Sequence, residues 1–274
     1  MKTYKERGYL LEDFRLFHIS VPLTEEVDFH YHTFHKVVIP IKGTLSYMIE
    51  GRHYQLEPFD IALVGRGCVH KPETDESNER VLFYLSADYL RDKSCDDCDL
   101  EFAFKKAQDT GSFVLRLSTT QRTRISRLLR EFRESEGEKE YGNKLMCDIL
   151  MQQIMLELTR YSLKQQKFEI DTIYDEKIVQ IIRFINDNLT DNITIDYLAE
   201  SFYMSKYHMM RKFKEETGYT IHSYLSNKRL MLAQRLLEEG ASSTDACYGC
   251  GFKDYSVFSK AYKKLFSVSP GKGK

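Results

Sequence analysis

From residue 194 onward the chain carries one pattern twice, and a repeat of this kind admits few folds. The copies are TIDYLAESFYMSKYHMMRKFKEETGYT (194–220) and TDACYGCGFKDYSVFSKAYKKLFSVSPG (244–271). Each reads as a short apolar helix, a tight turn, then a basic helix that ends near Phe or Tyr and meets Gly or Ser. In the first copy Thr194 and Ser205 stand where a hydroxyl can accept from exposed backbone N–H groups and start a helix. Leu198, Phe202, Met209 and Phe213 fall on inward faces, whereas Tyr207, Met210, Arg211 and Lys214 follow i, i+3, i+4, i+7 and form one outward stripe, led in by Lys206. In the second copy Asp254 can cap a helix whose Ser256, Lys260 and Lys263 share a face, with Lys264 beside it. Phe252, Phe258, Tyr262 and Leu265 supply its inward side. A helix over 221–237, about 25 Å long at 1.5 Å per residue, separates the copies.

Two short helices joined by a turn, the second bearing Arg, Lys, Tyr and Met outward, match what reading a DNA major groove requires. The groove admits one helix, Arg pairs with a guanine edge or a phosphate, and Met or Tyr packs on a thymine methyl. A lone helix with such a stripe would read as a solvated basic face; the repetition argues otherwise. Charge is divided accordingly: from Ser205 on, 13 Lys and Arg face 6 Asp and Glu, against 27 and 35 in the preceding residues. A basic module on an acidic body fits contact with a polyanion at one end only.

The first part of the chain has a different period. Short β-branched or aromatic runs at 16–21, 37–41, 45–49, 53–56, 61–64, 81–85 and 113–117 are separated by turn signals at Lys42-Gly43, Glu50-Gly51, Pro58 and Gly65–Gly67. They predict an antiparallel barrel or sandwich over 1–117. Helical periodicity follows at 119–134 and 143–163, the second with Cys147, Leu150, Ile154, Leu158 and Tyr161 on one stripe. This predicts a helical hairpin over 118–164 whose stripe covers the barrel, pairs with a second copy, or does both. Residues 165–172 are polar and aperiodic and read as a linker. Beyond it, over 173–274, helices are expected at 176–188, 195–202, 206–215, 221–237, 244–248 and 255–266. The fold class is thus α+β with two domains, an antiparallel barrel with its helical hairpin and an all-α double helix-turn-helix. No run spans a bilayer and the N-terminal residues lack a signal-peptide core, so a cytoplasmic protein without membrane contact is expected.

Six cysteines fit a reducing compartment better than a disulfide scaffold. Cys95/Cys98 and Cys247/Cys250 each have the spacing of half a zinc site, but the two pairs lie in different domains. Cys247 and Cys250 are expected to pack as small hydrophobes, Cys95 and Cys98 to sit in an acidic loop.

The repeat resembles the AraC/XylS family of bacterial transcription regulators. The matching residues are Ala199-Glu200, Ser205, Phe213-Lys214 and Glu216-Thr217-Gly218, then Arg229, Ala233 and Leu236-Leu237, then Gly251-Phe252, Phe258, Lys263 and Ser269-Pro270. The resemblance implies that each unit places its second helix in successive major grooves. Tyr207, Met210 and Arg211 would then read bases from the first unit, Tyr255, Ser256 and Lys260 from the second. It implies double-stranded promoter DNA, RNA polymerase and a second copy of the chain as partners, and no enzymatic activity. Tyr203 stands at a turn position often held by Gly in the family, so that turn is expected to be strained or reshaped. Tyr262 replaces a Phe and Ser267 a Gly.

The N-terminal region is similar to a cupin, the small barrel that members of this family carry as a sensor. The matching pieces are His30-Tyr31-His32, Gly43, Gly51, Leu56-Glu57-Pro58-Phe59-Asp60, with Phe59 in place of a Gly, and His70. Metal-binding cupins use two such His, a carboxylate and a later His. Here Lys36 falls at the carboxylate position, which argues against a bound metal and a metalloenzyme. His35 points to the opposite face by parity. A sensing pocket without cofactor is expected, lined by His30, His32, Lys42, Tyr47, His70, Arg80 and Tyr84 and taking a sugar-like effector. Phe34, Tyr47 and Phe83 would serve an amphipathic one. A barrel acting only as a dimerisation or docking scaffold fits the same sequence.

Overall fold

The computed structural model describes residues 10–20, 27–73, 78–137, 140–165, 172–173 and 175–271. The chain divides into two compact units, residues 1–49 with 53–172, and residues 173–274 with 50–52. The first holds strands β1 (Phe14–Ile19), β2 (His35–Lys42), β3 (Leu45–Ile49), β4 (Arg52–Leu56), β5 (Ile61–Val64), β6 (His70–Glu73), β7 (Glu79–Leu85) and β8 (Val114–Leu115), with β9 (Thr172–Ile173) at the division. One sheet runs β1-β7-β2-β5-β8 and the other β6-β3-β4-β9. The pairings along the first sheet and between β3 and β6 are antiparallel. The predicted Glu50-Gly51 turn joins β3 to β4 with both residues at positive φ, 49° and 75°, the two-residue geometry whose twist matches the strands.

Helices α1 (Ala87–Asp92), α2 (Phe102–Thr110), α3 (Thr119–Gly137) and α4 (Asn143–Lys164) complete this unit. α3 and α4 form the expected hairpin, and Leu150, Ile154, Leu158 and Tyr161 of the α4 stripe join the core that includes Phe83 and Phe132. Thus the stripe covers the sheet. Sequence reading left β6, α1 and α2 unassigned. β6 reads HKPE and carries no apolar run; it is a strand because it pairs with β3, His70 opposite Ile49. The run at 113–117 shortens to two strand residues. Of the expected linker, 166–171 lie outside the described residues, as does Val21 of the first expected strand.

The second unit comprises α5 (Glu176–Asp187), α6 (Ile195–Ser201), α7 (Lys206–Thr217), α8 (Ile221–Glu238), α9 (Ser243–Gly249) and α10 (Tyr255–Phe266). Its sequence-derived helices are recovered to within two residues at each end. Leu198, Met209 and Phe213 are buried in the first repeat. Leu230, Ala233, Ala246, Cys247, Cys250, Phe258 and Tyr262 form the core of the second. Arg229 ties α8 to the segment after α5 through the Leu189 and Asp191 carbonyls at 2.7 and 2.6 Å. Gly251 sits against that segment at φ +91°, and a Cβ there would lie 2.8 Å from the Leu189 oxygen, so glycine is required.

Candidate nucleic-acid interface and effector pocket

The second helix of each repeat begins at a side-chain cap. Ser205 Oγ accepts from the His208 N–H at 3.4 Å, and Asp254 Oδ1 from the Val257 N–H at 2.8 Å. Those caps fix the rotation of α7 and α10, and burial of Met209, Phe213, Phe258 and Tyr262 turns the opposite faces outward. Lys206, Tyr207, Met210, Arg211 and Lys214 are all exposed on α7, and Tyr255, Ser256, Lys260, Lys263 and Lys264 on α10. Lys206 reaches Asp196 at 2.5 Å and Arg211 lies 3.9 Å from Glu215. Among the described residues Lys214, Lys260, Lys263 and Lys264 make no ion pair. Both helices pack on α8. Val257, beside Ser256 and 58% exposed, joins the α10 face; sequence reading passed it over because an apolar residue is assigned inward by default. The turn ahead of α7 holds Tyr203 at φ 51°, the conformation that glycine takes most easily.

In the first unit a group of aromatic and basic side chains gathers between the sheets. His30, which precedes β2, exchanges two backbone hydrogen bonds with His70 at 3.0 and 2.9 Å. The His30 and His70 ring centroids are 4.2 Å apart, and those of His32 and His70 4.8 Å. Tyr47 from β3 stacks on His70 at 5.8 Å, His32 stacks on Phe34 at 4.6 Å, and Phe34 meets Tyr84 of β7 at 4.6 Å. Lys36 is only 6% exposed, its ammonium 5.7 Å from the Tyr47 ring centroid and 5.9 Å from that of Tyr84. Arg80, 5% exposed, donates to Asn78 Oδ1 at 2.7 Å.

Protonation follows from these contacts. A carbonyl only accepts, so His30 Nδ1, 2.8 Å from the Asp28 oxygen, and His70 Nδ1, 3.0 Å from the Cys68 oxygen, carry the hydrogens. In the neutral rings each Nε2 is then a lone-pair acceptor. Burial holds the His70 imidazole well below its ordinary pKa, with His30, Lys36 and His32 adding to the effect. Burial also pushes the Tyr47 phenol well up, so it keeps its proton. Neither Tyr47 Oη nor His70 Nε2 has a hydrogen-bond partner among the described residues.

Of the seven expected pocket residues, six fall in or beside this cluster and one does not. The Lys42 side chain is 81% exposed and lies 3.9 Å from Glu79. The β2–β7 register slips between Pro40 and Lys42, so the parity that carries Lys36 inward is lost two residues before the strand ends. Phe83 also faces away, against Phe132 of α3 at 6.3 Å. Lys36, taken from sequence only as an obstacle to metal, is the interior residue that sequence reading missed; its i, i+2 relation to Phe34 was the available signal. His35 lies on the other face, as parity predicts. Its Nε2 meets Glu101 at 2.9 Å and its Nδ1 accepts from the Arg66 N–H at 3.3 Å. Burial raises the Glu101 carboxyl, but the His35 and Lys105 contacts outweigh it and hold the pKa at about 2.

His30, His32 and His70 bring ligand atoms within 4.8 Å of one another, close enough for one metal ion. No Asp or Glu among the described residues joins them, and Lys36 bears on His70 instead. Three neutral donors beside a buried ammonium make a poor divalent-cation site, since a metal charge there would be repelled rather than offset. Cys247 and Cys250 are buried and free, as expected of packing residues, while Cys95 is exposed with its Sγ 3.1 Å from Asp97.

A polar, aromatic-lined interior in a β-sheet unit, followed by two capped basic helices in a helical unit, defines a ligand-sensing DNA-binding regulator as the class. Residues 22–155 match the model of an AraC-like ligand binding domain and residues 198–273 that of a helix-turn-helix domain. The HTH-type transcriptional activator RhaS of Escherichia coli O127:H6 is 28% identical over 255 residues, 91% of this chain and 88% of that protein. Among solved structures, ToxT from Vibrio cholerae is 13% identical, covering 95% of this chain and 97% of its own, with a TM-score of 0.36. A probable AraC family transcriptional regulator from Rhodopseudomonas palustris CGA009 is 25% identical over 36% of this chain and 94% of its own, with a TM-score of 0.34. The chain belongs to the AraC family of transcription regulators.

Proposed function

We propose that the protein is a one-component transcription activator that binds promoter DNA as a homodimer, contacts RNA polymerase and answers to a small molecule held in the N-terminal barrel. It works in the cytoplasm; no helix among the described residues is long and apolar enough to cross a membrane. The observation that carries the reading is the pair of exposed basic faces on α7 and α10, each fixed by a cap and both packed on α8. At 1.5 Å per residue α8 is about 27 Å long, which suits two helices serving successive major grooves, with DNA bending supplying any shortfall from one duplex turn. Tyr207, Met210 and Arg211 read bases from one unit and Tyr255, Ser256 and Lys260 from the other. Lys206, Lys214, Lys263 and Lys264 hold the phosphates.

The barrel over 1–117 carries the effector, 118–164 the dimer contact, 165–172 the linker and 173–274 the DNA-reading module. Leu145, Met146 and Ile149 support the dimer: all three are exposed on one side of α4, opposite the stripe buried against the sheet. The effector moves the balance between DNA-binding arrangements by no more than its differential affinity for them.

Arg211→Ala tests the assignment. The variant is expected to fold normally and keep effector binding but lose about 1–3 kcal/mol of discrimination between operator and scrambled duplex. Unchanged discrimination in a binding titration would reject the role given to α7.

A further inference from the structure

The barrel interior also indicates what kind of molecule it accepts, an inference that rests on the effector reading above. Three kinds of group converge there, and each asks for a different feature in a ligand.

The first is cationic. Arg80 presents five N–H donors, and among the described residues its side chain makes one hydrogen bond, to the neutral amide oxygen of Asn78. Among the described residues no carboxylate pairs with it. Glu79, its neighbour in sequence, is turned to the other face of β7, where it meets His18 at 2.8 Å and Lys42 at 3.9 Å. Lys36 adds a second buried positive charge over the Tyr47 and Tyr84 rings. A buried guanidinium is retained where something of opposite sign offsets it, and the Arg80 fork matches the two oxygens of a carboxylate or phosphate.

The second kind is the acceptor. His70 Nε2 is a buried lone pair with no donor among the described residues, since Nδ1 holds the hydrogen against the Cys68 carbonyl. An anion's oxygens cannot satisfy it; a ligand hydroxyl can. The third is the Tyr47 hydroxyl, which is buried and without a partner among the described residues and can both donate and accept. A neutral sugar would leave Arg80 without an opposite charge. A fatty acid would leave His70 Nε2 without a donor. A divalent cation would use the imidazoles but meet Lys36 and Arg80.

We propose that the effector is a hydroxylated anion, a sugar acid or sugar phosphate, whose charged group lies on Arg80 and whose hydroxyls meet His70 Nε2 and Tyr47 Oη. The anionic group fixes the ligand's end and the hydroxyl contacts fix its register, so both features are needed for tight binding.

The test is thermal unfolding of the full chain with gluconate, galacturonate and a hexose phosphate, each beside glucose or galactose. Dodecanoate and Zn²⁺, the latter with and without chelator, complete the panel. The anionic sugars are expected to raise the midpoint and the neutral parents to leave it unchanged. Which anion wins separates carboxylate from phosphate. By calorimetry Arg80→Gln is expected to weaken the responding anion about 10- to 100-fold, and Tyr47→Phe, which keeps the ring, about 5- to 10-fold. Should Arg80→Gln not fold, the wild-type contrast of each acid with its neutral parent decides. Equal shifts from neutral sugars, a response confined to dodecanoate, a chelator-sensitive shift from Zn²⁺, or silence across the panel each overturn the proposal. Operator binding by the same wild-type protein, measured beside it, tells that failure from failure of the regulator reading.

Discussion

The two units place their polar chemistry on opposite sides of their surfaces. In the barrel unit the buried polar side chains include four histidines, Lys36 and Arg80. In the helical unit the core of the second repeat is apolar, both histidines are exposed, and the cations proposed to meet DNA on α7 and α10 stand outside. The difference matches the size of what each must recognise. A small molecule can be surrounded, so its partners are worth desolvating; a duplex cannot, so its partners stay in water and act through groove fit and phosphate charge.

Four measurements would break or sharpen this contrast. The largest effect is expected from Phe258→Ala, which empties a fully buried site between α8, α9 and α10. It should cost about 3–5 kcal/mol in denaturant unfolding, whereas Val257→Ala next to it should stay within about 0.5 kcal/mol. Similar costs at both positions would mean that α10 is rotated from the face assigned here. Lys263→Ala should leave stability unchanged and lower the slope of log affinity against log salt by about one, read from operator titrations across a salt series. An unaltered slope would take Lys263 off the phosphate path.

Acid should act on the barrel. Burial holds His35 and His70 below the ordinary pKa of about 6.5. Below that value the unfolded chain takes up protons that the folded barrel does not, so stability is full above about pH 6.5 and falls as pH drops. Melting curves at about pH 7.5 and 5.5 check this, and a midpoint that rises on acidification would contradict it. The smallest effect is a gain. Tyr203 is 89% exposed at positive φ, so Tyr203→Gly removes strain without losing packing and should add about 0.5–1 kcal/mol. No gain in the unfolding free energy would show that the tyrosine ring compensates for its backbone.

Sequence carried the helical unit almost whole because period, caps and repetition agree there. Thr194, Ser205 and Asp254 are recognisable as caps from residue type and position alone, and each accepts the hydrogen bond that its position implies. The three places where Tyr203, Phe59 and Ser267 stand for a family glycine all have positive φ, at 51°, 67° and 60°. The barrel was less transparent. β6 has no strand composition, α2 has no side-chain cap to announce it, and a register slip hid the outward turn of Lys42. Parity located His35 correctly because it opens β2 and takes the face opposite its strand neighbour Lys36. The pocket's cations were harder still: sequence shows a lysine beside histidines, but only the facing sheet reveals that Tyr47 lies across from it.

His35 and Lys36 are neighbours on one strand that look opposite ways. Lys36 lies among the aromatic rings of the interior; His35 is clasped by Glu101 at the start of α2 and by the Arg66 backbone. Lys36 pairs with Val64 on one side and Tyr84 on the other, so the backbone that carries both side chains is held between two strands. A shift of that backbone at Lys36 on the inner face would carry His35, and its Glu101 contact on the outer face, along with it.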